Sequence, residues 1–133
     1  MKFLEKYKES GKFFFRANDN LTEVCSAPRN KAGIYIIFAI KKGERRLVYI
    51  GQSGRVKKDG ELFIRQDGIK GRIVRGKRNG RPRKEFWLEE IYNQELEALE
   101  FNWFVTHSEQ FVDCPLELER ILISDYKPIW NRK

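Results

Sequence analysis

GIYIIFAI at residues 33–40, a Lys41-Lys42-Gly43-Glu44 turn signal and RLVYI at residues 46–50 form the stretch that decides the fold. The first run is almost wholly apolar, β-branched or aromatic, which predicts a strand buried on both faces. The second predicts its returning partner, so the pair reads as a β-hairpin. Alternation puts Ile34, Ile36 and Phe38 on one face of the first strand and Tyr35 and Ile37 on the other. If the apolar sets of the two strands share a face, Tyr49 and Tyr35 share the opposite one, and the turn register decides this.

Outward from the hairpin, residues 51–68 hold Gly51, Gly54, Gly60 and Gly68 among charges and read as a long loop, a frequent carrier of function. Helix signals follow at about Ile69–Gly76 and Lys84–Asn93. ALEFNWFVT at residues 98–106 alternates as a third strand. A last helix starts at Pro115, favoured in a first turn, and stops near Tyr126, ahead of Pro128. The order is β-β-α-α-β-α: an α/β domain with a small, three-stranded, mainly antiparallel sheet flanked by helices. Residues 1–30, with Phe13-Phe14-Phe15 and two turn signals, read as an N-terminal extension packing on a main unit at 31–133.

The chain of 133 residues carries a net charge of +8, unevenly spread. Residues 41–84 hold 16 Lys/Arg against 4 Asp/Glu, whereas residues 85–133 hold 4 against 11. A basic segment of this kind is the footprint of a phosphate-backbone binder; the plain alternatives are a solvated surface or contact with an anionic membrane. Cys25 and Cys114 are far apart without a CxxC or a histidine pair, which points away from zinc and towards free thiols in a reducing, cytoplasmic setting. No apolar run approaches the length that spans a bilayer.

The last helix carries the sharpest chemical signal. At 100° per residue, Leu116, Leu118, Leu122, Ile123 and Tyr126 wrap most of it, with Ile121 at the edge. Glu117, Arg120 and Ser124 form a narrow polar face. Glu119 falls instead between Leu122, Ile123 and Tyr126. A carboxylate there is costly unless it is paired or holds a metal, so it reads as a structural ion pair or as a Mg²⁺ ligand. Arg72 opens a helical turn after the glycine-rich loop, where its planar fork suits a phosphate. Arg55, Lys70, Arg75, Lys77, Arg78, Arg81, Arg83 and Lys84 are candidate DNA-backbone contacts. His107 is the only histidine, at a strand end, where a turn or surface role is commonest. No Ser/His/Asp set, P-loop or dinucleotide fingerprint is present. Two strand tyrosines by themselves are ordinarily core.

GlyIleTyr at 33–35, TyrIleGly at 49–51, Arg72, Glu119 and LysProIleTrpAsn at 127–131 together resemble the GIY-YIG nuclease superfamily, over about three quarters of the chain. Its small stand-alone and restriction-type members are the nearest in layout. The resemblance implies a metal-dependent DNA endonuclease. Tyr35 is implied as general base, directly or through a relay, and Tyr49 as a hydrogen-bonding partner of the water or phosphate. Arg72 is implied as transition-state stabiliser, Glu119 as ligand of one Mg²⁺ or Mn²⁺, and Asn131 as a brace. Double-stranded DNA is the implied partner, with a homodimer as one way to supply a second active site. The runner-up is a DNA-binding module of this fold without catalysis. Two departures stand out. The stretch between Tyr49 and Arg72 is long, and Gly76 occupies the place where relatives carry a His or Tyr, leaving Lys70, Arg75 or Lys77 to replace it.

Overall fold

The computed structural model describes residues 1–56, 59, 61–63, 67–107 and 113–132, and of residues 55, 56, 62 and 63 the backbone alone. A 3-10 turn at Lys2–Lys6 leads into β1 (Ser10–Phe15), and a single helical turn, α1 (Leu21–Val24), follows. Asn20 caps α1, its Oδ1 accepting from the Glu23 N–H at 3.2 Å. Strands β2 (Gly33–Lys41) and β3 (Glu44–Ser53) form the hairpin. Its turn has both central residues, Lys42 and Gly43, at positive φ, as a tight two-residue connection demands. Short β4 (Arg55–Val56) and β5 (Leu62–Phe63) pair with each other, and α2 (Gly68–Arg75) follows. A two-stranded ribbon, β6 (Lys77–Arg78) and β7 (Arg81–Pro82), turns through Asn79-Gly80 and runs into α3 (Arg83–Asn93). Strand β8 (Ala98–Val105) and helix α4 (Pro115–Tyr126) complete the main elements. Lys127 ends α4 in the left-handed region, its N–H bonded to the Ile123 carbonyl, and a 3-10 turn at Ile129–Arg132 closes the described chain.

The α/β class holds, but the sheet has four strands where three were expected. Its antiparallel order is β1-β8-β2-β3. The added strand comes from residues 10–15 at the N-terminus. Phe13 and Phe15 point into the core, and Phe13 stacks on Phe101 of β8 with ring centroids 4.7 Å apart. A second correction concerns residues 51–68. Residues 51–53 continue β3, and β4 and β5 lie within the stretch read as one loop. Residues 57, 58, 60 and 64–66 of that stretch are outside the described residues.

Each face of the sheet buries its own apolar set. Tyr35, Ile37, Tyr49, Leu99 and Phe101 pack with Ile69 and Ile73 of α2, Trp87 and Ile91 of α3, and Trp130. Ile34, Ile36 and Ile50 pack on the other face with Leu4, Tyr7 and Leu122 of α4. Both faces of β2 are covered, which is why its sequence is apolar without a break. A bulge explains β3. Ile37 pairs with Tyr49 and Phe38 with Leu47, so Val48 is the extra residue, and it joins Tyr49 on the same face. On α4, Leu122 is buried, whereas Leu116, Ile121 and Tyr126, expected within or beside the apolar wrap, are exposed. No described helix is long and apolar enough to cross a membrane.

Candidate active site

The two glycines of the tyrosine tripeptides are set by packing. A Cβ on Gly51 would lie 2.2 Å from Cζ of Tyr35, so the Tyr35 ring lies across Gly51, its strand partner. A Cβ on Gly33 would meet the Phe104 carbonyl oxygen at 1.9 Å, where β8 runs alongside. Tyr35 is fully buried, and its ring is surrounded by Tyr49, Phe101 and Trp87 at centroid distances of 6.0, 6.2 and 6.4 Å. The tyrosines therefore share a face of the hairpin. The Tyr35 hydroxyl has no hydrogen-bond partner among the described residues.

Burial pushes the Tyr35 phenol well above its ordinary value, and nearby Tyr49 pushes the same way. Arg72 and Arg83 pull it down, and Glu119 pushes it up. Tyr35 thus feels groups from β3, α2, α3 and α4 together. Glu119 is half-buried on the side of α4 that also carries Leu122, whereas Glu117 is exposed and accepts from Arg120 at 2.7 Å. Arg72 is half-buried, and its guanidinium makes no hydrogen bond or ion pair among the described residues.

Asn131 clamps the outer edge of β3. Its Oδ1 accepts from the Ile50 N–H, and its Nδ2 donates to the Ile50 carbonyl, both at 2.9 Å. A side-chain amide thereby supplies the hydrogen bonds that a fifth strand would make. Ile50 lies between Tyr49 and Gly51, so the clamp fixes the backbone that carries Tyr49 and underlies Tyr35. Arg78 locks the clamp from behind, donating to the carbonyl oxygens of Trp130 at 3.3 Å and Asn131 at 2.7 Å.

The remaining basic candidates separate. Lys70 donates to the Cys25 carbonyl at 3.0 Å, and Arg75 pairs with Asp67 at 2.5 Å. Neither is among the groups named as acting most strongly on Tyr35. Arg81 pairs with Glu85 and Glu89. Lys77 and Lys84 are exposed, and the side chain of Arg55 is outside the described residues.

Arg83 departs most from the expected surface position. It is 4% exposed, with its guanidinium carbon 4.6 Å from the ring centroids of both Tyr49 and Phe86. Desolvation lowers its pKa, while Tyr49 and Tyr35 support the charge. Helical spacing was the signal for this placement: Arg83, Trp87 and Ile91 are four apart and all buried. Cys25 is buried, Cys114 is half-buried, and both are free.

Comparison with protein-family models, with curated proteins and with solved structures finds no match.

Proposed function

We propose that the chain is a metal-dependent DNA endonuclease that hydrolyses phosphodiester bonds, as the GIY-YIG resemblance implies. The observation that carries this reading is convergence: Tyr49 of β3, Arg72 of α2 and Glu119 of α4 all act electrostatically on Tyr35 of β2. Arg72, with no ion pair among the described residues, is suited to the charge that grows on a phosphate in the transition state. Tyr49 orients the water or the phosphate, and Asn131 holds its strand in register. The Tyr35 hydroxyl has no partner among the described residues, so its role as base is relayed through an admitted water and requires that it first give up its own proton, a loss that Arg72 and Arg83 favour.

Glu119 is the residue that would hold Mg²⁺ or Mn²⁺. The donor set fits: one half-buried carboxylate whose charge reaches Tyr35 suits Mg²⁺, which commonly uses one or two carboxylates, with water and phosphate oxygens completing its shell. No group of three or more His, Cys, Asp or Glu that could form an all-protein cage occurs among the described residues. When bound, the ion supplies Lewis-acid stabilisation of the phosphate. Double-stranded DNA is the proposed substrate, the cytoplasm the proposed setting, and a homodimer the proposed route to double-strand cuts.

A catalytically silent DNA-binding module of the same fold is favoured by one observation, the closed-off hydroxyl of Tyr35. Plasmid DNA with Mg²⁺ or Mn²⁺ separates the readings. The nuclease produces nicked or linear DNA with 5′-phosphate and 3′-hydroxyl ends, and Glu119→Ala abolishes the product. Binding without any cut, or full activity of Glu119→Ala, contradicts the proposal.

A further inference from the structure

Arg83 is in an energetically awkward position. Its Nε and one terminal nitrogen are buried and have no acceptor among the described residues. Among the described residues its guanidinium forms no ion pair with a carboxylate, and Arg78 adds like charge. Two aromatic faces and a hydrogen bond with the Tyr49 side chain offset part of the desolvation cost, but a buried guanidinium ordinarily has an anion. Arg83 also lines a cleft of about 240 Å³ with Arg78, Asn79, Arg81, Pro82 and Phe86. Tyr35, Arg72 and Glu119 do not line it, so it is a neighbour of the tyrosine site, joined to it through the contact of Arg83 with Tyr49.

We infer that this cleft is a phosphate subsite, which takes a phosphodiester group of the nucleic-acid strand next to the one being cut. Arg83 is its central cation. Arg78 donates to backbone carbonyls rather than to a carboxylate, and Arg81 is balanced by Glu85 and Glu89. A planar guanidinium fork backed by an aromatic ring matches the geometry and charge of a phosphodiester. The entering phosphate supplies the missing acceptor and fixes the strand relative to Tyr49.

This inference rests on the nucleic-acid reading but not on catalysis, so binding is measured with metal chelated. The full chain is titrated with a short DNA duplex at several salt concentrations, for wild type, Arg83→Met and Arg83→Lys. The slope of log affinity against log salt falls by about 0.9 in Arg83→Met, one phosphate contact on a duplex, and recovers in Arg83→Lys. Arg83→Met melts no lower than wild type, because it removes an unpaired buried charge; a merely structural Arg83 gives the reverse. An unchanged slope in Arg83→Met overturns the inference. So does stabilisation by inorganic phosphate in a chain that does not bind DNA, which assigns the cleft to free phosphate. An Arg83-dependent slope without cutting after metal is restored supports the subsite and removes the nuclease reading alone.

Discussion

Tyr35 carries a polar atom in a place built for an apolar one. Replacing it with Phe removes a hydroxyl that has no partner among the described residues, so stability is expected to stay level or rise by up to about 1 kcal/mol in denaturant unfolding. A loss of more than that marks the hydroxyl as structurally bonded. Gly51→Ala is expected to cost about 1–3 kcal/mol, since its Cβ would overlap the Tyr35 ring; unfolding at the wild-type midpoint contradicts the packing account. Proton linkage gives a sign as well. The folded pKa of Tyr35 is raised above its unfolded value, so its neutral form adds stability. That contribution is complete below about pH 10, the ordinary phenol value, and is lost as pH rises through the folded value. The same shift makes the basic phenolate scarce at neutral pH, so single-turnover cutting is expected to climb steadily with pH from 6 to 9 rather than level off near 7.

At the scale of elements, the hairpin, β8 and the three longer helices were legible because each has its own periodicity and end signals. Strand β1 was not. SGKFFF lacks clean alternation, and its partner β8 lies some 90 residues along the chain, so nothing local announces the pairing. The bulge at Val48 was hidden for a related reason: one extra residue changes which side chains share a face without changing composition. Glu119 was found by asking which charge falls among apolar positions of a helix. The same question asked of α3 finds Arg83, which was instead absorbed into a run of basic residues. The role of Asn131 is an element-level matter, because its amide completes the edge of β3. Asn131→Ala is expected to cost about 1–3 kcal/mol, by leaving the Ile50 backbone groups unpaired, and to expose the Ile50 amide to hydrogen exchange. Protection unchanged at Ile50 removes the clamp from the account.

Across the whole molecule, sheet and helices bring the charges of Arg72 and Glu119 to bear on Tyr35 of a packed tyrosine pair, within a chain whose central segment is basic. The charge asymmetry along the chain makes association with DNA salt-sensitive in any reading, so affinity alone does not separate an enzyme from a binding module. Cutting does. The central claim is that the buried tyrosine is chemical and not merely packed, and the most direct measurement is the single-turnover rate at which wild type and Tyr35→Phe cut a defined DNA duplex with Mg²⁺, alongside the melting temperature of each. The expected result is a wild type that cuts and a Tyr35→Phe variant slower by at least about a hundredfold, at an equal or higher melting temperature. Equal rates for the two, or a wild type that binds the duplex and never cuts it, would contradict the claim.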